Sequence, residues 1–471
     1  HGYLIDQFLS LSCNKRKDIY GGNLENRVRL LTEIIKAIKG KIGGDFPVWV
    51  RINAMEYGVE NGRTLEEAKE IARLAQEAGA DAIHVSAYGP KAPQHLTMPK
   101  PVSGVLADLA HSIKQDVRIP VIVVGRITPQ AGERILAERK ADLVAIGKAF
   151  LADPEIPAKV AANKAEEIRP CILCMACRDD LFFDTGASVR CQVNPALGKE
   201  AEFKIVRAQI PKKVLIVGGG PAGMEAARVA AQRGHKVALW EKNSTLGGQL
   251  NYAAISPYKN GIVPLIKYYQ TQMEKLGIGI ELRKAATATM IKEFQPEVVV
   301  LATGAVPIIP EIGKGKRSKT VTALEVLGGY EGIQERIAVV GGGLIGCETA
   351  EFLAERYKDI IILEMLEKIG SDIGPTLRPH ILERLKAAGI QIEVGIKITE
   401  ITEKGVMGLR NGRSEFFNAG TIVIAVGMKS ESSLAEYLKA TVPEIYLVGD
   451  CVEPRRIREA IAEGYCTGLK I

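Results

Sequence analysis

From residue 25 to about 164, short apolar runs alternate with amphipathic stretches. The runs are PVWVRIN (47–53), DAIHVSA (81–87), PVIVVGR (120–126) and ADLVAIGKA (141–149). Continuous apolar runs of this length, bounded by turn residues, predict strands buried on both faces, as in a parallel sheet. Between them TLEEAKEIARLAQEAG (64–79) and TPQAGERILAERK (128–140) carry apolar residues at helical spacing, each behind a threonine suited to N-capping. The βα unit repeats four times. A complete (β/α)₈ barrel takes roughly 250 residues, so the pattern predicts the C-terminal half of a TIM barrel over 1–165.

Past residue 210 a larger unit appears twice, as KKVLIVGGGPAGMEAARVAAQRGHKVALWEK (212–242) and ERIAVVGGGLIGCETAEFLAERYKDIIILEM (335–365). Both run strand, glycine turn, helix, strand, acid, with Glu241 and Glu364 each 23 positions after Gly218 and Gly341. PEVVVLATGA (296–305), GTIVIAVG (420–427) and IYLVGDC (445–451) add strands in the order expected if the second unit is inserted into the first. The fold class predicted is α/β: a half barrel, a cysteine-rich connector (166–210), then two Rossmann-like units, the first split between 211–310 and 431–471 around the second at 311–430.

Composition narrows the function. The net charge of +7 is spread along the chain, which points to solvated faces and away from nucleic acid. No apolar run reaches the roughly 18 residues of a membrane span. Four of the eight cysteines fall between 171 and 191, which favours metal ligation in a reducing compartment, the cytoplasm, over a disulfide framework. His1 follows no methionine and no signal segment, so the sequence reads as the inside of a longer protein.

Each glycine turn matches G-x-G-x-x-G: Gly218, Gly220 and Gly223, then Gly341, Gly343 and Gly346. After a strand and before a helix, bare backbone amides can meet a pyrophosphate while the acid meets ribose hydroxyls. Two units predict two dinucleotides. Glu364 would repel a 2′-phosphate and so favours NADH over NADPH, although Lys368 stands nearby. Cys171-x₂-Cys174-x₂-Cys177 with Cys191 beyond favours an iron–sulfur cubane, with zinc the alternative. At the ends of the last two barrel strands Gly125-Arg126 and Gly147-Lys148 pair amides with cations, as an FMN phosphate requires, and Arg51 places charge beside a flavin. Surface roles for Arg51, Arg126 and Lys148 are the bland alternative. Tyr88 and His95, in or beside a proline-rich loop (86–104), are candidate proton donors or plain loop residues.

The inserted order resembles flavoproteins with two dinucleotide-binding domains. That resemblance puts FAD in the first unit with Gly248, Gln249, Thr303, Gly304 and Asp450, and NADH in the second with Gly427. A helix N-cap is the other reading of Asp450. HGYLIDQFLS (1–10), NKRKDIYGGNLENR (14–27), ADLVAIGKAFLADP (141–154) and CILCMACRDD (171–180) resemble the Old Yellow Enzyme-like iron–sulfur flavoenzymes. That group includes 2,4-dienoyl-CoA reductase, 2-enoate reductases and trimethylamine dehydrogenase. The resemblance implies FMN, FAD, a [4Fe–4S] cluster held by the four cysteines, and His1 beside the substrate carbonyl. It also implies an ene-reductase passing electrons from NADH through FAD, cluster and FMN to an unsaturated acid or CoA thioester. Lys148 stands where the group usually has arginine. Amine oxidation with an acceptor flavoprotein, and a diaphorase-type electron-transfer module, are the alternatives; a homo-oligomer is compatible with any of these.

Overall fold

The computed structural model describes residues 2–89, 103–184, 188–259, 261–310 and 319–471. The chain divides into two compact units, 1–150 and 151–471.

In the first unit β1 (Trp49–Glu56), β2 (Ala82–Tyr88), β3 (Val121–Val124) and β4 (Leu143–Ala145) form a parallel sheet in the order of the sequence. Helices Leu65–Glu77, Ala107–Lys114 and Pro129–Ala137 make the crossovers. The two threonines cap as expected: Thr64 Oγ1 accepts from the Glu67 amide and Thr128 Oγ1 from the Ala131 amide, each at 3.3 Å. Ile52, Ile83, Val85, Val121 and Val123 are buried against Ile71 and Ile113 of these helices and Ile35 of the preceding helix Leu24–Ile42. Each such side chain contributes about 1.5–3 kcal/mol. The fourth strand is shorter than the apolar run 141–149, because Gly147 ends it and Lys148 opens a helix to Ala152.

One ion pair anchors the start of the unit. Arg63, fully buried, donates from Nη1 to Asp6 Oδ1 at 2.6 Å and to the Asn53 carbonyl at 3.1 Å. Burial raises the Asp6 carboxyl, yet the Arg63 cation and the Gly2 amide prevail and hold it below its ordinary value. This pair fixes the segment that follows His1.

The second unit holds two five-stranded parallel sheets. In the first the spatial order is 444–447, 298–301, 213–217, 236–240, 279–281; in the second it is 319–322, 421–424, 337–340, 360–363, 391–393. Each puts its glycine-turn strand in the centre, where the strand order reverses and nucleotides bind in doubly wound sheets. The chain leaves the first sheet, builds the second, and returns through an antiparallel ribbon of Ala305–Pro307 with Met428–Ser430. An antiparallel meander over 397–402, 405–410 and 413–418 has no counterpart in the sequence reading. Gly464 lets helix Ile457–Lys470 lie on helix Pro221–Gln232, since a Cβ there would strike the Ala222 carbonyl. Among the described residues no helix is long and apolar enough to cross a membrane.

Candidate functional site

The two glycine turns are built alike. Gly218 (φ 110°) and Gly341 (φ 106°) are left-handed, and a Cβ on either would strike the backbone carbonyl of Ala302 or Ala425. Gly223 and Gly346 face the carbonyls of Gly218 and Gly341 just as closely, so helix and strand approach only because both lack a side chain. Glu241 Oε2 accepts from the Gly219 amide and Oε1 from Asn243, both at 2.7 Å. Glu364 repeats the pattern on Gly342 (2.6 Å) and Leu366 (2.7 Å). Both acids are buried. Each therefore ties its turn to the next strand, leaving its remaining lone pairs for a ribose; the tie is a role the sequence reading missed.

The turns differ where their helices begin. After Gly220 comes Pro221, which has no amide hydrogen to offer. After Gly343 comes Leu344, whose amide donates to both oxygens of Asp372, at 3.0 and 3.1 Å.

Around the first turn the structure brings together residues far apart in sequence. Gly247 (φ 119°) and Gly248 (φ 53°) are left-handed, and a Cβ on Gly248 would lie 3.0 Å from the Gly220 Cα. Gln249 Nε2 donates to Asp450 Oδ2 at 3.4 Å, while the Arg455 amide donates to Asp450 Oδ1 at 3.2 Å. Asp450 is not the N-cap of the last helix, a place taken by Arg456 with Glu459 closing the box. Burial pushes the Asp450 carboxyl above its ordinary range. Thr303 Oγ1 donates to the Glu431 carbonyl, and Gly304 (φ 77°) and Gly427 (φ 118°) end the strands beside the two turns. Lys368 is exposed beyond Glu364.

The cysteine loop is tightly wound. Leu173 (φ 55°) and Met175 (φ 59°), neither a glycine, are left-handed on either side of Cys174, at a cost of about 1–2 kcal/mol each. All four cysteines are half-buried, and Cys171, Cys174 and Cys191 pack on the core that includes Ala222, Met224 and Leu250 of the first nucleotide unit. Burial pushes the Cys174 thiol up to about 12, and the other three cysteines add to it, so the four stand within reach of one another's charge. Burial raises Cys191 too, against amides of Val193 and Asn194 that point at its sulfur. Among the described residues no three metal-binding side chains converge on a point fit for a single ion. Four half-buried cysteines, with backbone amides aimed at the Cys191 sulfur, are a donor set that suits an iron–sulfur cluster, which takes each sulfur on a separate iron and is tuned by N–H···S bonds.

In the half barrel, Arg51 and His84 sit side by side across β1 and β2. Burial first, then the Arg51 cation, pushes His84 down to about 4, so the ring is neutral near pH 7; its Nε2 is buried and has no hydrogen-bond partner among the described residues. A flavin edge would meet an orphaned nitrogen here. Gly125 (φ 129°) and Arg126 (φ 50°) are left-handed at the end of β3, and Ser103 pins the turn by donating to the Arg126 carbonyl at 2.5 Å. Gly147 is exposed, with nothing within 4 Å of where a Cβ would stand, and Lys148 follows it. Tyr88 ends β2, about half exposed. His1 and His95 lie outside the described residues.

Comparison with known proteins agrees with this anatomy. Residues 1–167 match the NADH:flavin oxidoreductase / NADH oxidase family and residues 212–464 the pyridine nucleotide-disulphide oxidoreductases. The chain is 39% identical over 484 residues to an NADH oxidase of Thermoanaerobacter brockii, covering all of this chain and 74% of that one. It is 36% identical to a cinnamate reductase of Clostridium sporogenes, covering 98% and 72%. Among solved structures a 2-naphthoyl-CoA reductase in complex with 2-naphthoyl-CoA superposes with a TM-score of 0.94 at 34% identity, over 100% and 72%. A half barrel, four gathered thiols and paired nucleotide units in one order thus have one explanation: the chain belongs to the NADH:flavin oxidoreductases of the Old Yellow Enzyme-like, 2-enoate reductase type, whose cofactors are FMN, FAD, NADH and an iron–sulfur cluster.

Proposed function

We propose that this protein reduces the activated C=C bond of an unsaturated acid or acyl-CoA thioester at the expense of NADH. The bound groups would supply the redox chemistry, FAD as hydride acceptor, the cluster as one-electron carrier and FMN as hydride donor to the alkene. The residues divide that work. Gly341, Gly343 and Gly346 with Glu364 and Gly427 hold the nicotinamide nucleotide. Gly218, Gly220, Gly223, Glu241, Gly248, Gln249, Thr303, Gly304 and Asp450 hold FAD, and Cys171, Cys174, Cys177 and Cys191 hold the cluster. Gly125, Arg126, Gly147 and Lys148 grip the FMN phosphate, with Arg51 facing the ring. His1 donates to the substrate carbonyl oxygen as charge builds there, and Tyr88 or His95 protonates the α-carbon.

The observation that carries this reading is the seat of the thiols. Three of the four pack on the core of the first nucleotide unit, and all four lie in the segment between the two family matches. A redox centre beside FAD gives electrons an exit in a chain whose first unit has no nearby cysteine pair. The test is anaerobic NADH oxidation by the holoenzyme with and without cinnamate or crotonyl-CoA. One alkene lost per NADH is expected. NADH oxidation that proceeds only with dioxygen or a dye, with both alkenes intact, overturns the reading in favour of an oxidase or diaphorase.

A further inference from the structure

Arg169 lies two residues before Cys171, and its side chain is only 11% exposed. Its backbone amide donates to Asp153 Oδ2 at 2.8 Å, and Nη1 donates to Asn194 Oδ1 at 3.2 Å. Asn194 lies three residues after Cys191, whose sulfur its amide faces. The guanidinium therefore joins the two ends of the cysteine segment. It also lies over the Tyr268 ring, 5.6 Å from the centroid.

The charges around Arg169 do not balance. Among the described residues the one carboxylate oxygen within 4.0 Å of its guanidinium is Glu225 Oε1, at 3.7 Å. That carboxylate is already engaged by Arg228, which donates to it twice, at 2.7 and 2.9 Å. Asp153 is likewise paired with Lys159 at 2.6 Å. Among the described residues Arg169 Nε has no hydrogen-bond partner. Two guanidiniums, Arg169 and Arg228, thus share the one carboxylate of Glu225, and the trio keeps a net positive charge that a nearby anion would balance. A thiolate-ligated iron–sulfur cluster is an anion whose charge grows by one on reduction, and nearby charge and hydrogen bonds set its potential.

We infer that Arg169 is a positioning residue for electron transfer: the largely buried cation faces the cluster, stabilises its reduced form and raises its midpoint potential. Arg228 neutralises Glu225 and so leaves the Arg169 charge free to act on the cluster. The inference rests on assigning the four thiols to an iron–sulfur cluster.

The test is an EPR-monitored redox titration of the purified holoenzyme alongside iron analysis. Arg169→Gln is expected to keep its iron and titrate at a more negative potential than the wild type. Arg169→Lys, which retains the charge but not the fork, is expected to return most of the way. Glu225→Gln removes the opposing carboxylate and is expected to move the potential positive. An iron-replete Arg169→Gln with an unshifted potential overturns the inference. Should that variant lose its iron, Glu225→Gln decides, and an unshifted potential there overturns it equally. Wild-type protein without iron or an EPR signal would instead refute the cluster assignment.

Discussion

The two nucleotide units repeat one another down to single hydrogen bonds, yet they part at the first turn of the helix. In both, a buried glutamate accepts two backbone amides and holds the glycine turn against its strand. In the first, proline opens the helix and a glycine loop closes over the turn. In the second, a carboxylate from the loop beyond the next strand lies on the helix amide. The shared parts belong to the fold, because any pyrophosphate needs bare backbone. The differing part fits the tenancy proposed for each unit: a resident flavin can be enclosed once, whereas a nicotinamide must come and go with each turnover.

The sharpest way to break the comparison is to fill the shared glycine. Gly223→Ala and Gly346→Ala each push a methyl into a backbone carbonyl that has no room to move, an overpacking of about 1–3 kcal/mol or more. Gly346→Ala is expected to weaken NADH binding at least tenfold while flavin absorbance at 450 nm stays full. Gly223→Ala is expected to lose FAD on gel filtration. Equal flavin content in the two variants would show that the units are not separate seats. The glutamates come next. Glu364→Gln gives up a charged acceptor of two amides, about 1–3 kcal/mol, and is expected to raise the NADH Kd about tenfold with FAD retained; Glu241→Gln should do the reverse. A Glu364→Gln enzyme with unaltered NADH affinity would leave that carboxylate a purely structural tie.

Much of this was legible from the chain because it is local. Strand, glycine turn and helix lie within about thirty residues, and their apolar periods say which faces are buried. The four cysteines were legible by spacing alone. What the sequence concealed is what the fold joins at long range. Asp372 sits in an unremarked loop, and its meeting with Leu344 depends on the turn Gly370-Ser371-Asp372 folding back over Gly342, whose carbonyl accepts from the Gly370 amide at 2.7 Å. Arg63 and Asp6 are fifty-seven positions apart, and nothing local marks either as buried. Arg169 reads as one more surface cation until its burial is known. A signal did exist for its neighbours. Glu225 and Arg228 are the only charges in the helix PAGMEAARVAAQ, three apart on an otherwise apolar cylinder, which is how a buried ion pair looks in sequence.

The smallest expected effect tests the difference itself. A carboxylate at a helix N-terminus is worth about 1 kcal/mol, and Asp372 places both oxygens on the amide where a pyrophosphate oxygen would sit. On the proposed reading, nucleotide displaces it. The loop that carries Asp372 is also held from behind, since the Thr376 amide donates to Asp179 Oδ1 at 2.9 Å, on the helix that follows the cysteine loop. Asp372→Ala is expected to tighten ADP-ribose about fivefold, the equivalent of about 1 kcal/mol, measured by calorimetry so that flavin reduction does not intervene. Asp372→Asn, which keeps the acceptor and loses the charge, should fall between. FAD content should not move in either. If ADP-ribose binds no tighter, or more weakly, then the carboxylate withdraws without cost or stays to assist, and the second seat is as open as its sequence made it look.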